Sequence, residues 1–211
     1  MILPSERDIY TYIENSNAIE GYTEDSVQER FALRMVDSPF YTSHTEAAGA
    51  VLAAAGEGKL IPPVMLHSIL MRGVDDINEI SAAEIGAYRT CGVSVGGYSC
   101  PKAYTVPRLM EGWLAAVERY IVSPKSSISP SDRAEACWAF HHWFESIHPF
   151  VDGNGRSGRL LLNNIRLISG LDWHTVYASG KDDYYASIQK WRSEKWESVR
   201  YHSLEGRART A

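Results

Sequence analysis

The sequence predicts a mainly α-helical single domain with one short β-hairpin. Three observations carry this reading. Apolar residues and strong helix formers recur in several separated stretches. Serine, proline and glycine punctuate the starts and ends of those stretches. One segment alone, "GVSVGGYSCPKAYTVP", alternates Val93 and Val95 with small residues around a Gly96-Gly97 turn.

Along the chain, helix formers fill Ser26 to Val36 and Glu46 to Ala55, each followed by a proline or glycine signal. "PPVMLHSILMRGV" opens with prolines suited to a first helical turn and is expected to stop near Gly73. After the hairpin, a helix is expected from Pro107 through Trp113 and Val117, and "SPKSSISP" reads as a loop. "SPSDRAEACWAFHHWFESI" restarts a helix with Ser129 as cap, Pro130 at its first position and acids in its first turn. Pro149 should end it at His148. "RSGRLLLNNIRLIS" carries Leu160, Leu161, Ile165 and Ile168 at helical spacing, with Gly170 as a stop.

Length and composition narrow the function. At 211 residues, 45 % hydrophobic and 22 % charged, the chain suits one globular domain with a substantial core. A net charge of −5 with scattered basic residues offers no field for nucleic acid, despite six tryptophans and twelve tyrosines. No apolar run approaches the ~20 residues of a membrane span, and "MILPSERDIY" lacks the pattern of a signal peptide. The expectation is a cytoplasmic protein without nucleic-acid or membrane partners. Cys91, Cys100 and Cys137 show no C-x-x-C spacing. Cys137 stands four residues before His141 without a second ligand pair, so both it and the His141-His142 pair read as helix packing. "GEGKL" fails as a phosphate loop, because Ala53 and Leu60 stand where glycine and Ser/Thr are required.

The chemistry concentrates in "HPFVDGNGRSGR", His148 to Arg159, between two expected helices. Gly153 and Gly155 let the backbone turn tightly and approach a ligand, and the following helix start offers amides and a positive dipole end to an anion. Arg156 and Arg159 present forked donors to phosphate oxygens, and Asn154 adds a further donor. Asp152 fits this cationic setting if a divalent ion, magnesium, bridges it to phosphate. His148 is suited to accept a proton near neutral pH. Each residue alone has an ordinary explanation. Their combination reads as a phosphoryl-transfer site.

The same segment resembles the H-P-F-x-D/E-G-N-G-R-x-x-R signature of Fic (Fido) proteins at every fixed position. The resemblance extends outward over roughly residues 10 to 200. "LHSILMRGVDDINEISAAEIGAYRTCGVSVGG" is similar to the family's helix, G-x-Y-R element and flap hairpin, "VPRLM" to the end of that region, and "DDYYASIQKW" to a helix of the adenine pocket. It implies a Fic-fold helical bundle that transfers AMP from ATP, with Mg2+, to a hydroxyl of a target protein. His148 would be the base and Asp152 the metal ligand. Gly153, Asn154, Gly155, Arg156, Ser157, Gly158 and Arg159 would surround the phosphates. Val93, Ser94, Val95 and Gly96 of the flap would lie near the nucleotide and offer an edge to an extended target segment. Tyr184 and Tyr185 match nucleoside-contacting positions, whereas Arg192 stands where relatives often have asparagine.

"SNAIEG", Ser16 to Gly21, resembles the family's inhibitory S/T-x-x-x-E-G/N pattern. It implies that Glu20 competes for Arg159, within an N-terminal segment (1–25) packed on a Fic domain (26–205). Some relatives transfer other phosphate-containing groups, one branch transfers phosphate itself, and some remove AMP with the help of the inhibitory glutamate. Gly155 departs in the phosphate-transferring branch, so its presence favours AMP transfer. A noncatalytic binding module has no need of the base. The chain's own tyrosines are candidate sites of self-modification, and a homodimer is left open.

Overall fold

The computed structural model describes residues 3–22, 39–72, 80–123 and 128–205. The helix expected over 26–36, the stop at Gly73 and part of the 123–130 loop lie outside the described residues. Helix α1 (Glu6–Ile19) starts from a reciprocal cap: the Ser5 hydroxyl accepts from the Asp8 amide, and the Asp8 carboxylate accepts from the Ser5 amide at 2.8 Å. Helix α2 (Pro39–Gly56) begins ahead of the expected Glu46, because a proline fits a first helical turn, where no amide partner is needed. Helix α3 (Pro63–Leu70) follows its prolines as expected.

The hairpin consists of β1 (Ser94–Val95) and β2 (Tyr98–Ser99), antiparallel, with Ser94 opposite Ser99 and Val95 opposite Tyr98. Gly96 and Gly97 have φ of 53° and 78°, the left-handed pair that a two-residue hairpin turn demands. A 3-10 turn (Ala103–Thr105) leads into α4 (Val106–Val122). Helix α5 (Pro130–Ile147) starts where the Ser129 hydroxyl accepts from the Asp132 amide at 3.1 Å. Helix α6 (Asn154–Ile168) follows, and α7 (Lys181–Glu205) closes the bundle after a second 3-10 turn (Ala178–Gly180). The architecture is the expected helical bundle with one small hairpin.

Helices α5 and α6 form the centre. Helix α2 packs on α6, while α4 and α7 pack on α5. Trp113, Phe144, Ile147, Phe150, Leu160, Leu161 and Ile165 are buried together, and Trp113 Nε1 donates to the Phe140 carbonyl at 2.8 Å. Two asparagines within α6 tie loops to this centre. Asn163 exchanges two hydrogen bonds with the His174 backbone, and Asn164 accepts from the Ile61 amide at 2.7 Å. Helix α1 contributes Tyr12, Ile13, Ser16, Asn17 and Ile19 as its buried face. No described helix is long and apolar enough to cross a membrane.

Candidate active site

The two central helices meet at the conspicuous loop. His148 ends α5 with φ 52° and ψ 65°, the one non-glycine residue with positive φ among those described. Helical backbone is disfavoured before Pro149, and a left-handed residue turns the chain instead. Such a conformation costs on the order of 1 kcal/mol or more and needs support. Arg89 supplies it: its Nε donates to the His148 carbonyl at 2.7 Å and its amide to the Pro149 carbonyl at 2.9 Å. The same guanidinium donates to the carbonyls of Cys91 at 2.8 Å and Pro101 at 2.6 Å. One residue thus fixes His148 and both approaches to the hairpin.

Phe150 anchors the loop in the core, stacked on the His67 ring at 3.9 Å between centroids. His67 Nδ1 accepts from the Gly86 amide at 2.9 Å, so its proton resides on Nε2, which donates to the Asp152 carbonyl at 3.0 Å. Gly153 then takes φ 73°, and a Cβ there would fall 2.6 Å from Met71 Sδ. Only glycine suits this position on both counts. Gly153 has no side chain to cap α6, so the first amides of that helix are left for an anion.

The arginines of α6 lie beneath these amides. Arg156 pairs with the Asp152 carboxylate at 3.2 Å and lies over the Tyr22 ring at 5.3 Å. Arg159, 1 % exposed, is held from α1: its Nε donates to Ser16 Oγ at 3.0 Å, and one terminal nitrogen donates to the Ser16 carbonyl at 2.9 Å and to Glu20 Oε1 at 2.8 Å. Its other terminal nitrogen is buried without a hydrogen-bond partner. Burial opposes its charge, but Glu20, Tyr184 and Tyr12 around it raise its pKa overall. Glu20 also stands directly over Gly155, where a Cβ would overlap its carboxylate.

Burial lowers the His148 pKa to about 4, helped by Arg89 and Arg192 and opposed by Glu20. The imidazole is therefore neutral near pH 7 and holds a lone pair. Asp152, with 40 % of its side chain exposed, is the carboxylate at the loop. Among the described residues no group of three or more His, Cys, Asp or Glu side chains is placed to hold a metal. A divalent ion on Asp152 would draw its remaining ligands from phosphate and water, which is the habit of magnesium, and in that sense the donor set fits.

Several expected ligands are placed otherwise. The Asn154 side chain spends both its polar atoms on the Phe150 backbone, at 2.8 and 2.9 Å, closing the loop on itself and leaving only its amide for a phosphate. Ser157 is wholly buried, and Gly158 faces α5, where a Cβ would overlap the Glu145 carboxylate. Tyr184 is 6 % exposed, with its hydroxyl 2.9 Å from His141 Nε2 and its ring 5.8 Å beneath Arg159, so it supports the arginine. Tyr185, 38 % exposed with its hydroxyl 3.4 Å from the Ile19 carbonyl, is the member of the pair that remains open. His141 bonds the Gly158 carbonyl through its other nitrogen, and Cys137 lies in the core, in keeping with a packing role.

In the hairpin, Val93 is half-buried while Ser94, Val95 and Gly96 are exposed, leaving its edge accessible. Arg192 lies 3.7 Å over the Tyr98 ring and donates to Ser146 Oγ at 3.4 Å, and the Tyr98 hydroxyl donates to the Ser146 carbonyl at 3.2 Å. Arg192 thus clamps the hairpin to α5. His67 and Glu145 carry no motif signal of their own as site residues. The G-x-Y-R element was the available pointer to Arg89.

The Fic/DOC family model matches residues 64–165. Curated proteins named "Protein adenylyltransferase Fic" are similar over most of this chain. The one from Culex quinquefasciatus is 28 % identical over 200 residues, covering 88 % of this chain and 37 % of its own length. The one from Drosophila virilis is 32 % identical over 187 residues, covering 83 % and 36 %. The chain spans little more than a third of the length of these relatives. Among solved structures, a Fic domain containing signaling protein from Bacteroides thetaiotaomicron aligns with a TM-score of 0.69 at 19 % identity, over 89 % of this chain and 73 % of that one. Fic-1 (residues 134–508) from C. elegans aligns with a TM-score of 0.66 at 22 % identity, over 98 % and 62 %. These two share the fold. With the complete loop motif and the matching family model, the chain belongs to the Fic/DOC family.

Proposed function

We propose that this protein is a protein adenylyltransferase that moves AMP from ATP to a hydroxyl side chain of a target protein, and that the Glu20–Arg159 pair holds it in check. One observation carries the reading: a neutral, buried His148 and an uncapped helix start with Arg156 and Arg159 converge on one loop. The names of the curated relatives support it.

The triphosphate would rest on the amides of Asn154 and Gly155, with Arg156 beside it and the γ-phosphate on Arg159. Asp152 would hold magnesium, which when bound offsets phosphate charge and polarises the phosphoryl oxygens. A target segment would lie along the exposed edge of the hairpin, which Arg192 steadies. His148 Nε2 takes the hydroxyl proton as the oxygen attacks the α-phosphorus. The bond from that phosphorus to the bridging oxygen breaks, pyrophosphate leaves with the electron pair, and the imidazolium returns its proton to solvent.

While Glu20 holds Arg159, the γ-phosphate loses its anchor and meets a second negative charge. An α-phosphate misplaced by ~1 Å can lose ~100-fold in rate. A second reading has its own observation. Glu20 stands over Gly155 at the edge of the phosphate site, where it could align a water for AMP removal.

ATP labelled separately at the α- and γ-phosphates, incubated with the protein and its Glu20→Gly form, decides among these. α-Label on protein supports the reading, and γ-label on protein contradicts it. Release of AMP from a pre-modified protein by the unmodified chain alone favours removal.

A further inference from the structure

Glu145 is a buried acid that the mechanism above leaves without a task. It stands one turn before His148, 6 % exposed, in the carbonyl-rich last turn of α5 where a carboxylate is least favoured. Its Oε2 lies 4.0 Å from His148 Nδ1. Glu145 Oε1 is shut off from solvent without a hydrogen-bond partner, and His148 Nδ1, equally shut off, faces only Glu145, its carboxylate and its backbone carbonyl. Buried polar atoms left so cost stability and are uncommon. Space for the carboxylate comes from Gly158 on α6, where any Cβ would overlap it.

We propose that Glu145 is a positioning residue for His148, its carboxylate accepting from Nδ1–H so that Nε2 carries the lone pair that takes the target's proton. The inference rests on His148 being the base of the reaction proposed above. A separation of 4.0 Å is beyond a hydrogen bond, and contacts of this kind tighten when substrate binds. The site contains a contrast. At His67 the Gly86 amide occupies Nδ1 and sends the proton to Nε2, the tautomer that would disable a base acting through that nitrogen. At His148 no amide occupies Nδ1. The acceptors facing it are the Glu145 carboxylate and Glu145's own carbonyl.

The carboxylate differs from the carbonyl in that it titrates. Burial pushes Glu145 up to about 7, with Arg159 and Arg192 opposing and Glu20 reinforcing. Once protonated, it would offer its own hydrogen to Nδ1 in competition with the Glu145 carbonyl, shift the imidazole proton toward Nε2 and weaken the base. The other groups facing the pair are Arg89, Arg159 and Arg192, which stay charged across this range, Glu20 at the end of α1, Tyr184 on α7 and Cys100 after the hairpin. Burial raises the pKa of both Tyr184 and Cys100.

The test uses Glu20→Gly protein with and without Glu145→Gln. In the parent, nitrogen NMR at pH 8 should show the His148 proton on Nδ1, and AMP transfer should rise with pH through about 7. Glu145→Gln should lower kcat by about 100-fold, the low end of what a general base supplies, leave KM for ATP unchanged and abolish the rise. A merely structural role would not move the pH profile. A parent proton on Nε2, or a Gln variant that keeps the parent's kcat and pH profile, overturns the proposal, and the parent spectrum decides even if the variant fails to fold. A His148 signature that responds to Glu145→Gln in protein that takes no α-label supports the positioning role while sinking AMP transfer.

Discussion

The Arg159 guanidinium is bound at 2.8 Å by Glu20, 139 residues upstream, and the same arginine is gripped twice more by Ser16 one helical turn earlier. Ser16 in the last turn of α1 and Glu20 at its C-cap lie one turn apart, which is why the spacing matters. Ser16 fixes the arginine's orientation and Glu20 supplies the charge. Ser16→Ala should therefore release Arg159 partly, raising AMP transfer by about 10-fold, in line with the loss of about 1.5 kcal/mol for one hydrogen bond from a charged donor. Transfer rates for the unmodified and Ser16→Ala proteins check this, and a variant slower than the unmodified protein would tell against it.

Arg192 over Tyr98 joins α7 to the hairpin at 3.7 Å. Arg192→Ala should loosen residues 94–99, seen as faster amide exchange there, and raise KM for a protein target more than KM for ATP. Exchange unchanged from the parent would remove Arg192 from the account of the flap.

His67 links α3, the Gly86 turn and the loop through two hydrogen bonds and one ring stack. His67→Leu keeps the volume but leaves the Gly86 amide and the Asp152 carbonyl without that partner. The loss should be about 2–4 kcal/mol of unfolding free energy in urea. Gly153→Ala should also destabilise, by about 1–3 kcal/mol, since it demands a left-handed alanine whose Cβ meets Met71.

Acid should unfold the protein through its histidines. Burial lowers His67, His142 and His148 to about 4, His44 and His141 well below the ordinary value, and His174 below it. Between pH 6.5 and about 4 the unfolded chain binds protons at these sites that the folded chain refuses. Stability is full above 6.5 and falls as pH drops, by at most roughly 1.4 kcal/mol per pH unit for each histidine. Glu145, raised to about 7, acts with the opposite sign, losing stability as pH rises from its unfolded value toward 7, but it is one group against six. Tm should drop steeply from pH 6.5 to 4.5, and His44→Phe should flatten the slope. A Tm that holds steady over that range would contradict this balance.

Much of this was legible in residue order because the information is local. Ser129 caps α5, Pro149 ends it, Gly96-Gly97 turns the hairpin, and the loop from His148 to Arg159 gathers its polar groups within twelve residues. What escaped depends on distance. That Asn154 closes the loop, that Tyr184 faces inward under Arg159, and that Arg89 reaches the His148 carbonyl are facts of packing across 4, 25 and 59 positions. Glu145 reads as one more acid on a helix until Gly158 is seen to make room for it.

The account turns on Arg159 being contested while the loop beneath it is complete. Its most direct measurement is the transfer of α-labelled phosphate from ATP to protein, compared among the unmodified chain, Glu20→Gly and Glu20→Gly with His148→Ala. Removing one charge-assisted bond of about 1.5–3 kcal/mol should raise transfer about 10- to 150-fold in the first variant, and loss of the base should return it to background in the second. Equal transfer with and without Glu20, or transfer that survives without His148, would contradict it.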